Sequence, residues 1–556
     1  MKTLLFRITV IGCLLLFQFS NFSFCQSRVL GIWEGVFMND FKTVVELNLD
    51  ENDNYSGKIK MFSGPDLIQD DEISNIVISQ NLLTFRINAK DTDFKGKFNS
   101  EVSEITGVFI FPDKSEHPLK LSKSANKELS EKSSKQSYQY LKNKKYPSDE
   151  LKEDFNFLLD KLSEYHPQLY LYTSREVFET RADAIMKSIN QDLSMIEFFD
   201  LIAPLVENVK CSHTGIRFPE DYQNGIFSNE NFLPLKLLFT ADKVYCLKNL
   251  DNSNQVITPG IEILSINNIP VQNIKDRLYL FFPTEGNNLT SKNYQLNKNF
   301  NSCFNWIDNS EYFEIEYVKE GAKLRTSVKA CNYSDIEEKN EVIQNEMPVE
   351  FFVDGNNNIA ILTIKSFMIH NINKYIQKMD DIFQSLQNEK IQKLVVDLRG
   401  NSGGHPIFAA QLLSYLTTRD FTYFKRNKDI EEFEPLYNTM SPSKLNFKGD
   451  VYVFVDGGCL STTGHLISLL KYNTDAIFVG EEPGSTYRCN DFSLKETLPN
   501  TKIEVNIPRT TFETAISDSS KSLPFSVDYE VGNSVDDRLM NFDGYMKFVN
   551  DLILKP

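Results

Sequence analysis

Between Val29 and Leu121 apolar and polar residues alternate with a period of two. Thr43-Val-Val-Glu-Leu-Asn-Leu49, Leu82-Leu-Thr-Phe-Arg-Ile87 and Ile105-Thr-Gly-Val-Phe-Ile110 are examples. That period gives a strand one buried and one wetted face, and turn residues separate the runs with no helical period between them. Residues 26–122 therefore predict an antiparallel β domain, a small barrel or sandwich. The Lys/Ser/Glu-rich stretch 123–137 has no apolar run and opens a linker over 123–145.

The period then changes to that of a helix. Leu151, Phe155, Leu158, Leu159 and Leu162 form one stripe over Asp149 to Tyr165, and His166-Pro167 stops it. Ser174 to Asn190 and Ser194 to Val206 repeat the pattern, so 146–228 reads as a helical domain. Strand signals return over 229–333, where Gly260-Ile-Glu-Ile-Leu-Ser-Ile-Asn-Asn-Ile-Pro-Val271 predicts two short strands joined at Asn-Asn. A second polar linker covers Ser334 to Met347. Over 346–556 buried-strand runs alternate with helices. The strands are Ile359–Ile364, Lys393–Leu398, Val451–Val455 and Ala476–Val479; the helices lie near 372–388, 405–417 and 461–472. The fold class is multidomain α+β ending in an α/β layer.

Composition narrows the function only by exclusion. The 556 residues carry 41% hydrophobic and 24% charged side chains, ordinary globular values. A net charge of −17 lacks the basic face a nucleic-acid partner demands. Residues 1–25 have the layout of a secretory signal peptide. Lys2 and Arg7 precede an apolar run from Ile8 to Phe19, then small and polar residues up to Ser23 and Cys25. Cleavage before Gln26 removes Lys2 and Arg7 and takes the charge to −19. The expected location is periplasmic or secreted, with acylation of Cys25 as a lipoprotein the lesser alternative because Phe24 is bulky. No run is long enough for a transmembrane span. Six cysteines remain, Cys211, Cys246, Cys303, Cys331, Cys459 and Cys489. None has zinc spacing, so no metal and no cofactor is expected. Pairing is left open, Cys459 with Cys489 being the tempting case.

Two segments could carry chemistry. Leu394-Val-Val-Asp-Leu-Arg-Gly-Asn-Ser-Gly-Gly404 runs from a buried strand into a loop with three glycines in five positions, where backbone N–H groups can crowd toward an oxyanion. Val451-Tyr-Val-Phe-Val-Asp-Gly-Gly-Cys-Leu-Ser461-Thr-Thr-Gly-His465 is a strand, a turn and a helix start, which presents Ser461 at a helix N-terminus. Serine is also a common helix cap, so alone this is a weak signal.

Together the segments resemble the S41 serine peptidases, the family of C-terminal (tail-specific) processing proteases and tricorn-like proteases. Asp397 to Gly404 matches the Asp-Leu-Arg-x-Asn-x-Gly-Gly strand end, Ser461 the nucleophile, and Val479-Gly480-Glu481 the strand end that follows. Leu498-Pro-Asn-Thr501, Ile507-Pro508 and Asp528-Tyr-Glu-Val531 are further matches, and Ser212-His213-Thr214 fits the preceding helical region. The resemblance covers roughly 150–550. It implies a PDZ-like domain over 229–333 and a crotonase-like S41 protease core over 346–556.

A serine hydroxyl needs a neighbouring base. In the tail-specific branch this is a Lys 25 positions after the Ser; Thr486 stands there, and Lys495 is nine residues away. The tricorn-like branch uses a His from the helical region. The resemblance therefore implies His213 as base, with Ser212 orienting it. His465 is a supporting residue four positions after Ser461, and Glu513 is the orienting acid expected in the late stretch. Backbone N–H groups of Gly403, Gly404 and Thr462 would form the oxyanion hole. The reading is an exported serine endopeptidase acting on peptide or protein substrates through an acyl-enzyme on Ser461, with oligomeric state open. The alternative is a catalytically inactive peptidase-like peptide-binding protein. An esterase fits less well, because no Gly-x-Ser-x-Gly elbow surrounds Ser461.

Overall fold

The computed structural model describes residues 29–38, 41–49, 55–63, 66–79, 81–99, 102–123, 138–336, 347–354, 358–369, 371–426, 430–517 and 525–554. The signal-peptide reading of 1–25 and the polar stretches 124–137 and 337–346 lie outside the described residues. The chain divides into two compact units, 1–144 with 218–229, and 145–217 with 230–556.

In the first unit the period-two segment closes on itself. Eight strands, from Gly31–Phe37 to Glu116–Lys123, pair antiparallel in chain order, and the last pairs with the first. Thr92–Phe98 alternates strictly between buried and exposed side chains, as closure around a filled interior requires. Gly96 and Gly107 face each other across a strand pair, and a Cβ at either would meet the Phe94 ring within 2.8 Å. The missing side chains are thus the space that ring occupies.

The second unit holds two principal sheets. The strands Leu235–Phe239, Val244–Asn249, Glu262–Ile266, Tyr312–Lys319 and Ala322–Lys329 form an antiparallel sheet. Helices Val271–Tyr279 and Leu289–Phe304 share its core through Ile274, Leu278, Leu296, Phe300 and Phe304. Asn267 and Asn268 both take positive φ (48° and 63°) in the two-residue turn joining Glu262–Ile266 to Ile269–Pro270. Asn tolerates that region well, so the dipeptide encodes the turn.

The other sheet is the α/β layer. Val349–Asp354 pairs antiparallel with Ile359–Ile364; from there Lys393–Asp397, Asp450–Val455, Ile477–Gly480 and Tyr529–Glu530 follow in parallel. Helices Ile372–Asn388, Pro406–Leu416 and Thr462–Asn473 cover one face. Tyr545 and Val549 of Gly544–Leu554 pack against Val395, Phe454 and Val479 on the other. Parallel strands buried on both faces explain their near-continuous apolar runs. Asp397 and Arg399 serve this layer: Arg399 bonds Asp397 and Asp543 and stacks on Phe454 and Tyr545.

Candidate active site

Ser461 lies at the junction of Asp450–Val455 and the helix Thr462–Asn473, where it is the N-cap. Its backbone has φ 53° and ψ −124°, a region L-residues avoid, at a cost of roughly 1–3 kcal/mol. An ordinary N-cap serine bonds the first turn of its helix; Ser461 makes no such bond. The buried Cys489 thiol lies beside its hydroxyl. Serine side chain and helix N-terminus are therefore both left available.

The glycine loop stands directly against it. A Cβ on Gly403 would come 2.9 Å from the Ser461 Cβ, and one on Gly404 2.2 Å from the Phe367 carbonyl carbon, so both positions need glycine. Their φ values of 103° and 138° add the same requirement. Asn401, fully buried, anchors the loop: its Nδ2 donates to Ile364 O (2.9 Å) and its Oδ1 accepts from Gly403 N (2.9 Å). The Gly403 N–H is thus engaged. The N–H groups of Gly404 and Thr462 carry no hydrogen bond among the described residues. Thr462 Oγ1 donates to Gly404 O and ties the loop to the helix start.

His213 follows the helix Met195–Glu207 in a turn, just before the strand Gly215–Arg217. That strand pairs with Glu504–Ile507, and Asn506 Nδ2 donates to His213 O. The imidazole Nδ1 is 3.2 Å from Ser212 Oγ, and Nε2 is 3.6 Å from Asp491 Oδ2. Behind Ser212 lies Glu285, whose Oε2 is 3.5 Å from Ser212 Oγ and whose Oε1 accepts from Tyr172 OH at 3.2 Å. Burial pushes the Glu285 carboxyl up to about 7, although Tyr172, Ser212 and Arg488 favour its ionised form. Tyr172, Glu285, Ser212 and His213 thus form a continuous polar chain. Among the described residues, Ser461 and His213 make no direct hydrogen bond with each other.

His465 is enclosed. Its ring meets Phe424 and Tyr423 edge-on, and Nε2 is 3.3 Å from Cys489 Sγ. Burial, then repulsion from His213, depresses it to about 3, so it is neutral at any working pH and a feeble base. Glu513 Oε1 lies 3.0 Å from Lys425 Nζ. In the two-stranded sheet of Arg488–Asp491 with Thr510–Glu513, it pairs with Arg488, three rungs or roughly 10 Å from Asp491. Thr486 is buried, and Lys495 is exposed on Leu494–Thr497. All six cysteines described are free thiols; Cys459 Sγ bonds Leu398 O, so the Cys459–Cys489 pairing is absent.

The sequence does not mark Glu285, Tyr172 or Asp491 as part of this site, and it marks Cys489 only as a candidate partner of Cys459. Only Glu285 carried a faint local signal, a carboxylate in a Pro-Thr-Glu-Gly turn between two helices. Among the described residues no His/Cys/Asp/Glu group could hold a metal ion, and no helix is long and apolar enough to cross a membrane.

Residues 358–498 match the sequence model of Peptidase family S41. No curated protein matches the chain by sequence. Among solved structures the chain is similar to mature CPAF complexed with lactacystin, with 12% identity over 73% of this chain and 98% of that one, and a TM-score of 0.53. It is also similar to a photosystem II D1 C-terminal processing protease, with 14% identity over 69% of this chain and 95% of that one, and a TM-score of 0.37. At such identities the likeness is one of fold, and the CPAF comparison carries it.

Proposed function

We propose that the chain, whose residues 358–498 match the model of Peptidase family S41, is an exported serine endopeptidase working through an acyl-enzyme on Ser461. One observation carries the reading: Ser461 has an uncapped hydroxyl at a helix N-terminus, beside two N–H groups, of Gly404 and Thr462, that have no other partner among the described residues. Export is supported by the charged, apolar and small-residue order of 1–25.

In this mechanism His213 Nε2 takes the Ser461 proton while Oγ bonds the scissile carbonyl carbon. The oxyanion is received by Gly404 N–H and Thr462 N–H, and Gly403 shapes the loop with its own N–H turned to Asn401. The tetrahedral adduct collapses, the C–N bond breaks, and His213 returns the proton to the leaving amine. Water then repeats the sequence and frees Ser461. For His213 to act as base, Nδ1–H donates to Ser212 Oγ and the Ser212 hydroxyl donates to Glu285. That direction keeps Nε2 unprotonated in the resting state. Asp491 then stabilises the imidazolium once it forms. Glu285 takes the orienting-acid role in this scheme, because it is the carboxylate within reach of Ser212. His465 and Cys489 support Ser461 from behind, and the PDZ-like sheet over 235–329 holds extended substrate by strand addition.

Ser461→Ala is expected to abolish peptide hydrolysis and fluorophosphonate labelling while the melting temperature stays near wild type. His213→Ala should lower kcat/KM by roughly 10⁴-fold or more. Labelling of Ser461 in wild type that His213→Ala leaves at full rate would refute His213 as the base.

A further inference from the structure

The barrel of the first unit has two unlike ends. One is filled: Trp33 is fully buried, its Nε1 donates to Val29 O at 2.7 Å, and Phe98 meets its ring edge-on at 5.7 Å. The other end contains a cavity of about 260 Å³. Its inner wall is Phe37, Met61, Ile87 and Phe109, all buried side chains, with Phe37 and Phe109 edge-to-face at 5.1 Å. Ile68 stands at its rim with 53% of its surface exposed, an apolar side chain left in water.

Size and lining restrict what fits. An eight-stranded barrel interior is just wide enough for side chains or for one small ligand, and barrel mouths are frequent ligand sites. An apolar cavity of about 150 Å³ admits benzene, so scaling by volume gives room for roughly ten heavy atoms here. Ordered water is a poor occupant, because it needs several polar partners and this wall offers none. Polarity is confined to Gln69, Lys90 and Thr92. Gln69 already donates to Asp71, and Thr92 Oγ1 to Lys90 O. The Lys90 ammonium is exposed and has no carboxylate partner among the described residues.

We infer that this end of the barrel binds a small amphipathic carboxylate, an alkyl or aryl acid of roughly ten heavy atoms. Its body lies against Phe37 and Phe109 and its carboxylate faces Lys90. Strand closure preforms the site.

Octanoate, with octan-1-ol as its uncharged counterpart, tests the inference by titration calorimetry on the full chain. Octanoate is expected to bind saturably at one site per chain. Ile68→Glu, at an exposed position, should weaken it at least tenfold by wetting the mouth and repelling the anion. Lys90→Gln should weaken octanoate about fivefold, the size of one exposed charge pair, and leave octan-1-ol unchanged. An unchanged melting temperature in both variants separates loss of binding from loss of fold. Absence of saturable octanoate binding at millimolar concentration, or binding indifferent to Ile68→Glu, overturns the site. Equal weakening of acid and alcohol by Lys90→Gln overturns the assignment of Lys90 to the carboxylate.

Discussion

Glu285 is asked to be two things at once: a buried group, which favours the neutral acid, and the partner of Ser212, which favours the carboxylate. Burial dominates and lifts it from 4.5 to about 7. A folded-state value above the unfolded one means its stability contribution is fully present below about pH 4.5 and lost as pH rises through 7. Keeping it ionised at pH 8 therefore costs up to roughly 3 kcal/mol, an order-of-magnitude figure from the size of the shift. Glu285→Gln should thus melt higher than wild type at pH 8 and show no such gain at pH 4.5. The same variant should lose about 10²-fold in kcat with little change in KM, since Ser212 no longer has a carboxylate to hold the His213 tautomer. Parallel melting and turnover series across pH check both halves; an inert Glu285 would change neither. His465 and His166 act with the opposite sign. Burial depresses them to about 3 and about 4, so each contributes stability above pH 6.5 that drains away as pH falls through those values.

Individual elements are joined into the site by side chains that cap one another's loops. The helix Ser148–Tyr165 ends nowhere near Ser461 in sequence, yet its buried Asp154 receives Asn500 N (2.7 Å), Thr501 N (2.8 Å) and Thr501 Oγ1 (2.6 Å). That carboxylate closes the turn between Leu494–Thr497 and Glu504–Ile507, and the latter strand carries Asn506 to the His213 carbonyl. Asp154→Ala leaves the buried N–H and hydroxyl of Thr501 and the half-buried N–H of Asn500 unpaired. About 3 kcal/mol of stability should go, read as a lower urea midpoint at unchanged m-value. Lys292 with Glu207 makes a similar join, a 2.6 Å pair linking Leu289–Phe304 to Met195–Glu207, the helix that delivers His213.

At the scale of the whole molecule, the two units have separate hydrophobic cores, that of the barrel and those of the two sheets. Separate cores predict unfolding that is not two-state. Phe94→Ala removes the ring that fills the space over Gly96 and Gly107, at a cost of roughly 3–5 kcal/mol. Scanning calorimetry should show one transition falling and the other holding, with peptide hydrolysis kept at temperatures below the lower transition. A single transition that moves as a whole would show the cores to be coupled.

Local rules were enough for much of this. Period-two alternation is a property of neighbouring residues, so the strands of the barrel could be read one by one, and a helical stripe such as Leu151 to Leu162 likewise. Positions with a backbone requirement were also legible: the Asn267-Asn268 turn, and the glycines at 403 and 404. A serine opening a helix after a buried strand could be recognised, but not its uncapped geometry. What the chain leaves open locally, packing decides. Alternation does not say whether a sheet closes, and closure into a barrel with a cavity toward one end depends on all eight strands together. Nor can spacing tell which carboxylate meets Ser212, since Glu285 is 73 residues away and Asp491 reaches His213 from the strand Arg488–Asp491. The same holds for Cys489, whose thiol meets His465 Nε2 from a strand 24 residues further on. Backbone propensity acts over a few residues, whereas a polar contact between distant loops exists only once the core has brought them within about 3 Å.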